Sequence, residues 1–347
     1  DNRYIVTGTD PNPTIITMLF AGGNYTRNQV TANTVFSLKY DLDFITKGLS
    51  AQGKYSFDSF SDAGYNRQRQ YATYRPIELE DGTIYMQKSG NDGPLTSSGL
   101  ASQKRRKEYA EVSLNYARSF GDHNVSALAM YNMEKSRYYE SSFADVPHAY
   151  LGFVGRATYN YKSRYFLDFS IGINGSENFP KGQRFGTFPA VAVGWAISEE
   201  PFMESIRKTV SFLKIRGSYG TLGNQSVGDY QYFTTYNVYS NTYAFNNVGV
   251  GGAGFQLGTD NLQWEVSKTF NVGFDASFFR GKLNLGFDYF NKHTTDILVK
   301  PQTPLILGTE LQNYNAGEMR TQGWELTLSY ALKKRDWSHF FQFNIGD

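Results

Sequence analysis

The sequence predicts an all-β protein, a transmembrane antiparallel β-barrel, on three observations. Apolar and polar residues alternate with a period of two along most of the chain, which marks strands with one oily and one wet face. Short polar turns and long loops take alternate places between those strands, the division expected of an outer-membrane barrel. Aromatic residues are abundant, with 27 Phe and 26 Tyr beside 34 Gly in 347 residues, a mixture that suits pleated surfaces better than helices.

The elements follow in order. Phe36, Leu38, Tyr40, Leu42 and Phe44 alternate with Ser37, Lys39, Asp41 and Asp43. After the turn Thr46-Lys47-Gly48, Leu49, Ala51, Gly53, Tyr55 and Phe57 alternate with Ser50, Gln52, Lys54 and Ser56. The stretch "SFSDAGYNRQRQYATYRPIELEDG" then reads as a long loop. Alternation resumes at Val112-Leu114-Tyr116, Val125-Ala127-Ala129-Tyr131, Phe169-Ile171-Ile173 and Val191-Val193-Trp195-Ile197. Only Glu199 to Phe212, "EEPFMESIRKTVSF", has spacing fit for a short helix. Phe270 to Phe278 and Leu283 to Tyr289 mirror one another across Arg280-Gly281, and Trp324 to Tyr330 repeats the pattern. Further short turns are expected at Phe120-Gly121-Asp122, Lys162-Ser163 and Lys333-Lys334-Arg335. Long loops are expected at "NGSENFPKGQRFG", "YSNTYAFNNVGVGGAGFQLGTDN" and "LVKPQTPLILGTELQNYNAG".

The alternation assigns the faces. Apolar rows meet lipid acyl chains, and the polar rows line a wet or plugged interior. Closure of the sheet satisfies backbone groups that an open edge would leave unpaired in hydrocarbon. Phe44, Phe120, Tyr161, Tyr165, Phe166, Phe278, Phe279 and Trp337 cluster beside the short turns, where rings with a polar edge suit the headgroup boundary. An arginine at Leu285 tests this facing if that residue lies near the bilayer midplane.

Composition narrows the partners. A net charge of +2, with charged residues at 19%, gives no sign of nucleic-acid binding. With no cysteine, neither disulfides nor thiolate metal sites can form. No window reaches the ~18 apolar residues of a membrane-spanning helix. The opening "DNRYIVTGTDPNP" lacks the apolar core of a secretory leader, and the chain is expected to begin inside a longer protein.

Motifs for chemistry are weak. "GVGGAG" at 249–254 satisfies G-x-G-x-x-G, but no helical period follows it, so a flexible loop is expected in place of a nucleotide site. His123, His148, His293 and His339 are scattered without metal-ligand spacing. The Asp41/Asp43 pair suits a hydrated lumen wall better than a cation or hydrolase site. No nucleophile elbow, zinc-protease or P-loop motif is present, and neither a cofactor nor an enzymatic activity is expected. The basic run "KRRK" at 104–107 reads as a solvated strand end, with anionic lipid as a second contact.

Five stretches, in order, carry a resemblance: "YDLDFITKGLSAQGKYSFD", "RFGTFPAVAVGWAISEEPFM", "LKIRGSYGTLGNQSVGDYQY", "NLQWEVSKTFNVGFDASFFRGKLNLGFDYFNKHTTDIL" and "NAGEMRTQGWELTLSY". Together they hold about a third of the residues, spread from Tyr40 to Tyr330. The sequence resembles the SusC/RagA-like TonB-linked outer-membrane transporters. That resemblance implies a plugged barrel of about 22 strands, with residues 1–347 a middle portion of one barrel domain and no plug or N-terminal domain among them. It also implies a SusD-like surface lipoprotein as lid, the TonB complex as energy source, and an oligosaccharide or peptide as cargo. Lumen positions expected to touch the plug or line the substrate route are Lys39, Asp41, Asp43, Gln52, Lys54, Asp168, Lys214, Arg216, Asp275, Asp288 and Glu325. Tyr230, Tyr232, Tyr236 and Tyr239 are candidates for stacking on cargo in a loop. A passive porin and a secreted soluble glycan-binding β-protein are the competing readings.

Overall fold

The computed structural model describes residues 4–5, 23–99, 103–138, 146–246, 248–334 and 336–347. Arg335, in the last expected short turn, lies outside the described residues. The first strands are β1 (Tyr4–Ile5), β2 (Gly23–Asp41), β3 (Leu49–Arg69), β4 (Thr73–Glu78), β5 (Ile84–Ser89) and β6 (Leu95–Gly99). Next come β7 (Gln103–Phe120), β8 (His123–Tyr138), β9 (His148–Tyr161), β10 (Tyr165–Ser176), β11 (Phe185–Ala196) and β12 (Val210–Asn224). The last are β13 (Thr235–Phe245), β14 (Val248–Gln256), β15 (Glu265–Phe278), β16 (Leu283–Val299), β17 (Tyr314–Lys334) and β18 (Trp337–Gly346).

Two compact units are present. One comprises Asp1–Thr34, Phe57–Lys107 and Ser136–Pro147. Here the expected loop after Phe57 is largely strand: β3 runs on to Arg69, β4 pairs antiparallel with β5, and β6 pairs with β3. Arg27 forks onto Asp62, whose side chain is only 6% exposed, and Gln29 reaches the same carboxylate at 3.3 Å. A buried carboxylate needs that much compensation.

The other unit comprises Val35–Ser56, Glu108–Lys135 and His148–Asp347. Its strands follow the order β18-β17-β16-β15-β12-β11-β10-β9, and the same sheet goes on through β8, β7 and β3 to β2. Most neighbours are consecutive in sequence, as the alternating pattern requires. The end strands β2 and β18 are not paired with one another among the described residues, so the wall is open.

Register sorts the residues of this wall onto two faces. Residues directly opposite in an antiparallel sheet share a face. One row reads Tyr165, Trp195, Ile215, Phe274, Phe287, Leu326 and Ile345 across seven strands. The adjacent row reads Phe166, Gly194, Arg216, Gly273, Asp288, Glu325 and Gly346. Leu167, Phe169, Val193 and Phe270 on the apolar face are 44%, 46%, 55% and 46% exposed, so no second protein layer covers it among the described residues.

The rows also record strand tilt. Trp195 lies one residue before the end of β11, Phe274 four before the end of β15, and Leu326 eight before the end of β17. A level membrane edge therefore cuts successive strands at shifting register, which is the stagger that closing a barrel demands. For the same reason Leu285, two residues into β16, lies near the short-turn boundary and not at the midplane.

Short turns close one end. Between β2 and β3, Leu42 N–H donates to Leu49 O at 2.8 Å and Gly48 N–H to the Asp43 carboxylate at 2.7 Å. Gly48 takes φ 85°, where a side chain would be strained. Between β15 and β16, Phe279, Arg280 and Gly281 all have left-handed φ, which reverses the ribbon. The expected helix at Glu199 to Phe212 is instead two 3₁₀ turns, Ile197–Glu199 and Pro201–Ile206, and β12 already begins at Val210. Pro201 opens the second turn but cannot donate a hydrogen bond, and beyond it Val210 and Phe212 pair with β15.

Candidate functional site

The polar face carries the first candidate. Arg216 projects from β12 between β11 and β15, and its guanidinium spans two neighbouring strands. Nε donates to Asp275 Oδ2 at 3.0 Å, while Nη1 and Nη2 fork onto Asp288 at 2.5 and 2.6 Å. Asp288 faces Glu325 directly in the β16–β17 register. Asp275, Asp288 and Glu325 line one polar depression of about 350 Å³ with Ser277, Asn284, Thr327 and Ser329. The Arg216 side chain is 35% exposed, and those of Asp275 and Asp288 are 44% and 25% exposed. This is a wetted wall with fixed charges, not a desolvated catalytic centre.

The other lumen candidates fall on the same side but apart from this cluster. Lys214 Nζ sits 4.3 Å from the centre of the Phe166 ring. That contact and the row register place Phe166 on the polar face, a correction to its expected place in the lipid girdle. Asp168 accepts a fork from Arg156 across β9 and β10. On β2, Lys39 lies 3.7 Å from Asp41, both well exposed. Asp43 is spent on capping its turn. Gln52 donates to Ser37 at 3.4 Å, which fixes these positions to a common face. Lys54 sits over the Tyr109 ring at 5.9 Å.

The candidate loop tyrosines divide. Tyr230 is 8% exposed, held in a left-handed conformation among Tyr232, Phe233 and His148. Burial, with Glu177 nearby, pushes its phenol up to about 12. Tyr232 is half-buried. Tyr236 and Tyr239 are 70% and 50% exposed, on opposite faces of the β13–β14 hairpin. That hairpin contains "GVGGAG", so the expected flexible loop is a paired strand.

Three constellations escaped the sequence. At the short-turn end, Glu200 accepts from Tyr165 Oη at 2.6 Å and Trp195 Nε1 at 3.0 Å, with Arg164 3.5 Å away. These hydrogen bonds hold its carboxyl below the usual carboxylate range. At the long-loop end, Phe179, Phe188, Leu262 and Trp264 form a small buried core, and Trp264 Nε1 donates to Arg184 O at 3.1 Å. Beside it, Asn315 donates to Gln263 O at 2.8 Å and to Asp296 O at 2.7 Å, and accepts from Gln263 N–H at 2.9 Å. The only available signal was polar residues breaking alternation at strand ends.

Comparison with known proteins fits this geometry. The family described as "TonB dependent receptor-like, beta-barrel" matches residues 1–346. The TonB-dependent receptor P39 of Formosa agariphila is 31% identical over 267 residues, 68% of this chain and 25% of its own length. The TonB-dependent receptor SusC of Bacteroides thetaiotaomicron is 31% identical over 201 residues, 56% of this chain and 20% of its own. The chain thus spans about a quarter of the length of these curated relatives. The RagAB peptide importer in its closed-closed state superposes with a TM-score of 0.69 at 21% identity, covering 98% of this chain and 38% of that one, which shows a shared fold. The family is one of outer-membrane receptors and not of enzymes. The chain belongs to the TonB dependent receptor-like β-barrel family.

Proposed function

We propose that this chain forms part of the wall of a plugged barrel that imports a bulky nutrient, an oligosaccharide or a peptide, across the outer membrane. The observation that carries this reading is the two-faced wall: a bare apolar face outside, and inside a polar face studded with fixed charges such as Arg216, Asp275 and Asp288. A wall that filled its own interior with side chains would not leave such charges wet. Relatives whose matched stretch is only 25% of their length leave ample chain for a plug and a TonB-contacting segment. TonB drives the cycle, a SusD-like surface lipoprotein covers the long-loop end, and lipid wets the apolar face.

In this reading Lys39, Asp41, Asp43, Lys214, Arg216, Asp275, Asp288 and Glu325 contact the plug or border the cargo route, and plug contact predominates. A photo-crosslinker at Glu325 of the full-length protein should capture protein, while one at Phe270 should capture lipid. Conductance of that protein in a planar bilayer separates import from passive flow. A barrel closed at rest fits, and a steadily open one refutes the plugged reading in favour of a porin.

A further inference from the structure

At the long-loop end, two segments far apart in sequence wall a cleft of about 690 Å³. One is the β13–β14 hairpin, which leaves the sheet after β12 and returns before β15. The other is the 300–310 segment between β16 and β17. They are joined at the base: Thr309 Oγ1 donates to Phe255 O, and Leu257 bridges Leu311. The hairpin is anchored in turn by Thr259 N–H donating to Gln231 O at 3.0 Å. Walls cross-linked in this way hold their side chains in place before a ligand arrives, which lowers the cost of binding.

The lining has a definite chemistry. Asn237, Tyr239, Gly254 and Gln256 belong to one face of the hairpin. The Tyr239 ring lies over Gly254, where even a methyl group would come within 3.4 Å of it. The ring is therefore held across the strand, and its other side is open to solvent. The amides of Asn237 and Gln256 make no hydrogen bond among the described residues. Opposite stand Pro301, Thr303, Pro304 and Gly308. Among the described lining residues the charged groups are Lys300 and Glu310, which are paired with each other.

From this lining we propose that the cleft is a surface subsite for an uncharged oligosaccharide. A pyranose ring presents C–H groups that stack on a tyrosine face, and its hydroxyls donate and accept in the way that two free amides require. A uronate, a sulfated sugar or a charged peptide side chain would lose water there and find its counter-charge taken. The inference deepens the import reading and rests on it for the cleft's access to the medium.

The test uses the full-length protein, fluorescently labelled, on an array of neutral, uronate-containing and sulfated glycans with a mixed peptide array beside it. Signal on neutral glycans should fall about tenfold in Tyr239→Ala. Asn237→Ala/Gln256→Ala should fall similarly, and Val238→Ala, on the opposite hairpin face and outside the cleft lining, should bind as the parent does. Heat-modifiable migration of each variant shows that the barrel has folded. Signal confined to charged glycans or peptides, no signal at all, or neutral-glycan signal indifferent to Tyr239→Ala each overturns the proposal. Uptake of a bound neutral glycan is measured separately: binding without uptake leaves the subsite standing and sinks the import reading.

Discussion

Replacing Phe274 by arginine tests the membrane face where it is most exacting. Phe274 stands in the row Ile215, Phe274, Phe287 and Leu326, with its ring centre 5.8 Å from that of Phe287. It lies four residues from the end of β15. At ~3.3 Å per residue and a tilt near 40°, that is roughly 10 Å above the short-turn boundary, close to the middle of a ~25 Å apolar band. Arginine there should cost about 2–4 kcal/mol. The control is Thr327→Arg, on the polar face beside Asp275, Asp288 and Glu325, where a cation meets water and carboxylates; it should cost under ~1 kcal/mol. Both variants of the full-length barrel would be refolded into phosphocholine vesicles and unfolded in guanidinium, with the midpoint shift converted through the measured slope. Equal losses at the two positions would refute the facing, because a protein core or a second layer would penalise an arginine on either side alike.

Three further outcomes follow from the same geometry. Arg216→Ala strips two carboxylates of their common partner and should destabilise the barrel by about 1–2 kcal/mol, the half-exposed setting having discounted the pair; Arg216→Lys, lacking the fork, should recover only part of this in the same unfolding assay. Glu200 has a folded-state pKa below its ordinary value, so its contribution is complete at neutral pH and is lost as pH falls through the acid carboxylate range. Midpoints measured between pH 3 and pH 7 should show that acid limb shrink in Glu200→Gln. Trp264→Ala empties the centre of the loop core and should cost about 3–5 kcal/mol, with faster cleavage of the neighbouring loops by added protease; unchanged cleavage would mean that the core does not hold them.

Alternation made the wall legible. A period of two forces Phe270, Val272 and Phe274 to one side and Asn271 and Asp275 to the other, and the observed register follows. Phe166 misled because its hydrophobicity suggested lipid, whereas its parity, shared with Asp168, gave the polar face on which Lys214 rests. Leu285 misled because the stagger between strands is a property of the closed sheet, invisible in any one strand. Arg216 and Asp288 were both expected in the lumen, but 72 residues separate them and nothing local announces their fork. The hairpin at Thr235–Gln256 was read as loop since its glycines lower strand propensity, yet its two strands pair along most of their length.

A wall of this kind tolerates exchange at most positions, since any apolar residue serves outside and any polar one inside. Its ends are less forgiving, because there the chain must stop pairing with one neighbour and reach the next. The stretches that carry the family resemblance contain those end devices. "GWAISEEPF" holds Trp195 and Glu200, "NLQWE" holds Leu262 and Trp264, and "NAGE" holds Asn315. Glu265 adds a separate tie, accepting from Leu298 N–H at 2.8 Å and Asn224 Nδ2 at 2.6 Å, so that the long-loop ends of β12, β15 and β16 meet at one side chain. The stretches that carry the resemblance therefore include residues that fasten the rims. The exposed face of Tyr239, by contrast, is one on which packing imposes little, so the binding role proposed for it leaves no mark on the local sequence pattern.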